Sequence, residues 1–339
     1  MLKSGIHWLL VGVVACADSR APTVPPGVAL VQSETKLEVF DAQSPEDAAP
    51  RRFVIRRVEQ CVVPPTPSED GGTIDVQFDV RYGPDERQVL DVAWPNVPFK
   101  GLVVIVHGGG WTAGAKKLFV PTIRLLASLG YVGVTVNYRL ARGFANAHPV
   151  GLGDVRCAIR EAQAQVELRK LNANKLVILG ASAGGHLAAM VGVNGDDPSS
   201  DGACARKGPI HPRGVIAYYA PLELDRAHDH YPPKMVQAVD ELLRVDGGPE
   251  DWDKRARTAT PNHFVDGADP PVLLLHGSDD RIVPASDSRA FSQLLEGAGV
   301  PSLVVELPGQ DHGFAVLGKK ESIRPATCTA LAFLEDALR

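Results

Sequence analysis

The chain has no surplus of basic charge. Its formal net charge is −5, so it lacks the electrostatic footprint that nucleic-acid binding requires, and nucleic acid is excluded as a partner. It has one apolar run at the N-terminus and a mean hydropathy close to zero, which argues against a polytopic membrane protein. There is no internal repeat at solenoid or propeller period. Its ten histidines and five cysteines show no close paired spacing of the zinc type, so no metal and no cofactor is expected. What is present is ordinary globular material: 45% hydrophobic and 22% charged residues in 339 positions. That is enough for one sizeable core.

The most informative segment is Leu176-Val-Ile-Leu-Gly-Ala-Ser182-Ala-Gly-Gly-His186. A short apolar run reads as a strand, and His-Leu-Ala-Ala-Met-Val after it reads as a helix. Small residues around Ser182 let the strand turn sharply into that helix and push Oγ to the tip. In a chain with 33 glycines Gly-x-Ser-x-Gly alone is a weak signal, and Ser182 could be a plain turn residue. Three further segments strengthen it. Val103-Val-Ile-Val-His107-Gly-Gly-Gly110-Trp111 is a strand emptying into glycines, whose N–H groups can approach a ligand without Cβ interference. Val272-Leu-Leu-Leu-His276-Gly-Ser-Asp-Asp280-Arg-Ile-Val-Pro284 is a buried strand ending in a carboxylate loop. Leu303-Val-Val-Glu-Leu-Pro-Gly-Gln-Asp-His312-Gly-Phe ends a strand in a histidine loop. The chain order Ser182, Asp280, His312 is that of a hydrolase triad.

With these motifs in view, the chain resembles the α/β-hydrolase superfamily in its esterase branch. The set HGGGW, VNYRL (Val136 to Leu140), GASAGGH, HGSDDRIVP and DHGF is similar to BD-FAE-like esterases and their hormone-sensitive-lipase and kynurenine-formamidase relatives. The likeness runs from about Thr73 to the C-terminus. It implies a serine carboxylester hydrolase of small to medium acyl esters, working through an acyl-enzyme with Ser182 as nucleophile and His312 as base. The resembled pattern His-Gly-x-x-Asp-x-x-Val-Pro selects Asp280 as the acid. Asp279, its neighbour, must point elsewhere, and Asp311, beside His312, is read as solvated. The family's loop and the residue after its nucleophile imply an oxyanion hole from the N–H groups of Gly109, Gly110 and Ala183. His107 and His276, which end buried strands, are expected to hold loops by hydrogen bonds, and His186 to pack beneath the site. Of the other readings, a serine peptidase of the prolyl-oligopeptidase type would bring a propeller-sized N-terminal domain. Arylformamidases typically carry an aromatic where this chain has Gly110. A catalytically silent hydrolase fold used for binding would usually lose Ser, His or a motif glycine.

Buried apolar strands near residues 102–106, 132–136, 176–179, 214–218, 272–276 and 303–307 alternate with helical stretches near 118–129, 155–171, 186–193, 286–296 and 322–338. This predicts an α/β fold with a doubly wound, mostly parallel sheet. Asp154 reads as the N-cap of the second helix. A polar, proline-containing insert from Leu222 to Val265 is expected to form a small cap, with Trp111, Tyr218, Tyr219, Tyr231, Met235 and Trp252 as candidate pocket walls.

Residues 1–16 read as an export signal ending in Val13-Val-Ala-Cys16, which resembles a lipoprotein box with lipidation at Cys16. The rival is plain secretory cleavage near Ala17. Residues 17–72 read as a Pro-rich tether with some strand character, and residues 73–339 as the catalytic domain. The expectation is an exported protein, periplasmic or cell-surface, touching the membrane through a lipid anchor alone. Its partner is a small-molecule ester; its oligomeric state is not legible. An oxidising compartment permits disulfides among Cys61, Cys157, Cys204 and Cys328. Cys61 and Cys204, in the tether and a polar loop, are the expected pair; Cys157 and Cys328, on predicted helices, read as buried thiols.

Overall fold

The computed structural model describes residues 28–30, 63–65, 67, 74–195, 197–244 and 248–339. The expected signal segment, Cys16, Cys61 and most of the tether lie outside them. The sheet has the order β1-β9-β8-β7-β6-β4-β5-β3-β2. Its strands are β1 (Val28–Leu30), β2 (Asp75–Arg81), β3 (Val89–Trp94), β4 (Gly101–Val106), β5 (Tyr131–Val136), β6 (Leu176–Ala181), β7 (Gly214–Tyr218), β8 (Val272–Gly277) and β9 (Ser302–Leu307). Among the described residues β3 alone runs against the rest of the sheet, antiparallel to both its neighbours β2 and β5; β1 joins the far edge parallel to β9.

The central strands are buried along their whole length, because both faces of the sheet are covered. Leu102, Val104 and Val106 face one layer, built on α2 (Val150–Leu168), α3 (Ala183–Val193) and α7 (Ser286–Gly297). Val103 and Ile105 face the other, built on α1 (Val120–Ser128) and α8 (Arg324–Ala337). Each fully buried Val, Leu or Ile in these layers stabilises the fold by roughly 1.5–3 kcal/mol before entropy is charged. Between β7 and β8 the chain inserts α4 (Ala227–His230), α5 (Pro233–Leu243) and α6 (Pro249–Ala259), which form the cap. Among the described residues no helix is long and apolar enough to cross a membrane.

Two local expectations are corrected. The second helix starts at Val150, not near Val155, so Asp154 is no N-cap. It sits inside α2, 1% exposed, and accepts hydrogen bonds from the backbone and guanidinium of Arg139 and from Gln88. Gly151 and Gly153 lie ahead of the helix expected near residues 155–171. Inside α2 a Cβ on Gly153 would lie 2.1 Å from the Ser200 carbonyl oxygen, so packing against that loop decides the residue. The cysteine reading also changes. Cys157 on α2 is bonded to Cys204, with Cα atoms 5.3 Å apart, and Cys328 on α8 is disulfide-bonded too. Neither helical cysteine is a free thiol. Cys204 is drawn onto α2 because Asp201, in the same loop, is held by Arg156, one position before Cys157, and by Arg160, three positions after it.

Candidate active site

The order of the sheet fixes where a site can form. Strands β4 and β6 are neighbours, while β5 lies on the other side of β4. The chain therefore winds away in opposite directions from the β4–β6 boundary, and a crevice opens at the carboxyl ends of the strands. His107 follows β4 and Ser182 follows β6, so both stand at that crevice.

Ser182 caps α3 with φ 54° and ψ −124°. A non-glycine residue held there costs about 1–3 kcal/mol, and the surroundings must enforce it. They do so through glycine. A Cβ on Gly180 would lie 2.0 Å from the Gly184 carbonyl oxygen, and one on Gly184 would lie 2.1 Å from that of Val106. Only glycine lets strand, turn and helix close this tightly. The Ser182 N–H donates to Tyr218 O at 2.9 Å, which ties the turn to β7.

Ser182 Oγ donates to His312 Nε2 at 2.9 Å, and His312 Nδ1 donates to Asp280 Oδ2 at 2.7 Å. Residues from three separate loops, distant in sequence, thus form one relay. The Asp280 side chain is 1% exposed, and burial alone would raise its pKa. Hydrogen bonds from His276, His312 and the Val283 N–H outweigh burial and hold the carboxyl well below the usual range. Its Oδ1 accepts from the N–H groups of Ile282 and Val283, both at 2.9 Å. Asp279 is exposed and accepts from the Ser278 hydroxyl. Asp311 accepts from the N–H groups of its neighbour His312 and of Arg281. Neither reaches the His312 imidazole.

The glycine loop lies against the elbow: a Cβ on Gly108 would be 3.1 Å from Ser182 Cβ. His107 Nδ1 donates to Gly108 O at 2.8 Å. That carbonyl shares a rigid peptide plane with the Gly109 N–H, so the imidazole fixes the direction of the donor as well. His107 is buried and stacked on Tyr138, and burial lowers its pKa to about 4. Gly109 and Gly110 both have positive φ. Among the described residues the N–H groups of Gly109, Gly110 and Ala183 donate to no protein acceptor.

His186 lies in the first turn of α3 and is fully buried. Its Nε2 donates to Ala259 O at 2.6 Å, and its Nδ1 accepts from the Trp111 indole at 3.2 Å. Of the candidate pocket walls, Tyr219 is the one against the relay, its ring 4.8 Å from His312 and edge-on to it. Tyr218 is buried under it, and Tyr231 is committed to Asp287 through its hydroxyl. Trp252 stacks on His228 in the cap. The α5 residue Ala238 closes over the glycine loop, 3.4 Å from where a Gly110 Cβ would be.

Sequence reasoning expected His276 only to hold a loop. It does, with Nε2 3.0 Å from Val283 O, but the same nitrogen is also 3.3 Å from Asp280 Oδ2. Its place four residues before Asp280 was the available signal. A cluster of Glu223, His230 and Asp287 groups three ligand-type side chains near the cap. Its atoms are already engaged: His230 and Tyr231 donate to Asp287, and Arg226 donates to Glu223.

Residues 90–295 match the BD-FAE family model. Among curated proteins, esterase LipC of Mycobacterium tuberculosis is 31% identical over 250 residues, covering 70% of this chain and 60% of LipC. The probable carboxylic ester hydrolase LipM of the same organism is 27% identical over 73% of this chain and 58% of its own length. The chain thus spans about three-fifths of these relatives. Among solved structures, a truncated carbohydrate esterase from gut microbiota superposes with a TM-score of 0.68 at 21% identity, over 81% of this chain and 100% of that one.

Proposed function

This chain belongs to the BD-FAE family of α/β-hydrolases, and from that premise we propose that it is a serine carboxylester hydrolase of small to medium acyl esters. The observation that carries the reading is the unbroken relay from Ser182 through His312 to Asp280, at 2.9 and 2.7 Å, beside three N–H donors that meet no acceptor among the described residues. Relatives named as esterases support the same reaction class.

In the proposed reaction Ser182 Oγ attacks the ester carbonyl carbon while His312 Nε2 takes its proton. Asp280, ionised and held from four sides, keeps Nδ1 protonated and steadies the imidazolium. The carbonyl oxygen becomes an oxyanion and accepts from the N–H groups of Gly109, Gly110 and Ala183. Such donors are worth about 10²–10³ each in rate. The alcohol leaves with the proton from Nε2. Water, deprotonated by the same nitrogen, then attacks the acyl-enzyme; the acid leaves and Ser182 recovers its proton. No step needs a cofactor.

A hydrolase fold kept only for binding, a peptidase or an arylformamidase are the competing readings. The enforced strain at Ser182 favours a working nucleophile over a silent binder, since it would otherwise be an uncompensated cost. The test is a panel of p-nitrophenyl esters of graded acyl length, with formyl anilides and peptides alongside. Fastest turnover on formyl anilides or peptides, or none on any substrate, would overturn the ester reading.

We further propose that the protein is exported and lipidated at Cys16. The Cys157–Cys204 disulfide suits an oxidising compartment. Cell fractionation checks this: the wild type should sediment with membranes and Cys16→Ser should not be lipid-processed. A mature N-terminus at Asp18 in the soluble fraction would refute lipidation and leave the esterase reading intact.

A further inference from the structure

We propose that His276 is a positioning residue for the catalytic relay, supplying a second imidazole N–H to the same Asp280 oxygen that receives the His312 proton. The inference rests on the esterase reading of Ser182, His312 and Asp280 and deepens it.

His276 Nε2 faces the Val283 carbonyl oxygen at 3.0 Å and Asp280 Oδ2 at 3.3 Å. A carbonyl oxygen only accepts, and so does an ionised carboxylate. Nε2 therefore bears a proton whatever the state of Nδ1, and that N–H is shared between the two oxygens. Nδ1 lies 2.8 Å from Ser288 Oγ, whose hydroxyl can turn to suit it. The ring is completely buried and pinned at both nitrogens, so it has no freedom to swing away.

Its effect on Asp280 follows from how the carboxylate is filled. Oδ1 takes two backbone N–H groups, and Oδ2 takes the His312 N–H with His276 Nε2 a further 3.3 Å away. No rotation of the carboxylate keeps all four of these nitrogens in place. Without His276, Oδ2 would be held by His312 alone, and His312 is the ring that must gain and lose a proton in each turnover. His276 also draws off negative charge that would otherwise act on His312 undivided. Removing it concentrates that charge and makes the His312 imidazolium harder to deprotonate. The other ionisable groups around Asp280 are the Tyr219 phenol, the Asp311 carboxylate and the Arg281 guanidinium. All three stay in place when His276 is changed, so a displaced titration belongs to His276.

The experiment follows the His312 ring by NMR across pH, and in parallel the pH dependence of kcat. In His276→Leu the His312 midpoint is expected to rise by about half a pH unit or more. The kcat should fall about tenfold, with KM little changed. His276→Gln, whose amide N–H can stand near the place of Nε2, should restore most of both. An unmoved midpoint in His276→Leu, or equal behaviour of the Leu and Gln variants, overturns the proposal. Should His276→Leu not fold, the wild-type His276 Nε2–H resonance carries the test: it should move upfield in Asp280→Asn, and an unchanged resonance refutes the contact. Both NMR readouts are independent of turnover. Failure of the esterase reading, seen as an inactive wild type, is therefore distinguishable from failure of this one.

Discussion

The Trp111 indole N–H donates to His186 Nδ1 across 3.2 Å, with the two rings perpendicular. This bond fastens the end of the glycine loop to the helix that begins at Ser182. His186 Nε2 in turn donates to Ala259 O at the end of α6, so the glycine loop, α3 and the cap meet at one imidazole. Burial lowers the His186 pKa to about 4. At neutral pH the ring is uncharged, and a neutral ring is what a donor and an acceptor on opposite nitrogens require.

Trp111→Phe removes the indole N–H and keeps most of the volume. We expect a stability loss on the order of 1 kcal/mol and a fall in kcat of about tenfold as Gly109 and Gly110 drift. His186→Phe should not add its full kcat effect to that of Trp111→Phe, because the two act through one bond. A double-mutant cycle on kcat and on urea unfolding checks this. Strict additivity would mean the bond does not hold the loop.

Ser182→Ala should fold with the wild-type melting profile and lose ester turnover by about 10⁴-fold or more. A fluorophosphonate probe should label the wild type and leave the variant unlabelled. Turnover near wild type in a purified variant would remove Ser182 from the mechanism.

Asp280→Asn should lower kcat by about 10⁴-fold, since an amide can present its NH₂ to His312 and favour the wrong imidazole tautomer. Asp279→Asn loses only an exposed hydrogen bond to Ser278 and should stay within a few-fold of the wild type. Steady-state kinetics on both separates them; the reverse ranking would reassign the acid.

Acid should destabilise the fold before it reaches the ordinary carboxylate range. Burial lowers His107 and His186 to about 4 and His148 to about 3. Between about pH 6.5 and 4 the unfolded chain binds protons that these rings refuse. Each contributes a loss of about 1.4 kcal/mol per pH unit in that window as pH falls. Asp280, with its pKa depressed, contributes stability above the unfolded carboxylate range and loses it at still lower pH. His230 opposes the trend: Asp287 raises its pKa, so its contribution is full below about 6.5 and is lost as pH rises through the folded value. Melting temperature should therefore drop steeply from pH 6.5 to 4.5. A flat profile there would contradict the buried neutral histidines.

The Cys157–Cys204 bond spans a sequence separation of 47, and the closed ring contains β6, Ser182 and α3. Cross-linking a loop of that length stabilises by up to about 4 kcal/mol in the chain-entropy account. Cys157→Ala with Cys204→Ala should lower the melting temperature, as should a reductant on the wild type. Turnover at 25 °C should survive, because the bond joins α2 to the loop at Cys204 and neither cysteine belongs to the relay.

The parallel core and the relay were legible because their physics is local or ordered along the chain. Apolar strands buried on both faces read as unbroken runs, and Ser182, Asp280 and His312 each end such a run. The start of α2 is not legible in the sequence because its first turn holds Gly151 and Gly153, and the reason for Gly153 is close approach to the Ser200 carbonyl, some fifty residues later. The cysteine pairing is hidden for a similar reason: Arg156 and Arg160 meet Asp201 only in three dimensions. The contact of His276 with Asp280 depends on the turn between them, and the residue types alone leave it open. The service of Tyr219 beside His312 comes from strand order in the sheet.

The first turn of α7 faces two ways. Asp287 is fully buried and takes Leu222 N–H, His230 and Tyr231 from the cap side. The next residue, Ser288, faces inward and meets the His276 ring. The cap is thus not a detachable module resting on a finished scaffold. Anyone exchanging residues 222–265 for a cap of another shape, to redirect acyl preference, must carry over the Leu222, His230 and Tyr231 attachments. Otherwise Asp287 is left as a buried, unpaired charge one residue from Ser288, which meets the His276 ring beside Asp280. Cap grafts that ignore this seam should lose rate on every ester alike, where a change of pocket shape would instead alter selectivity.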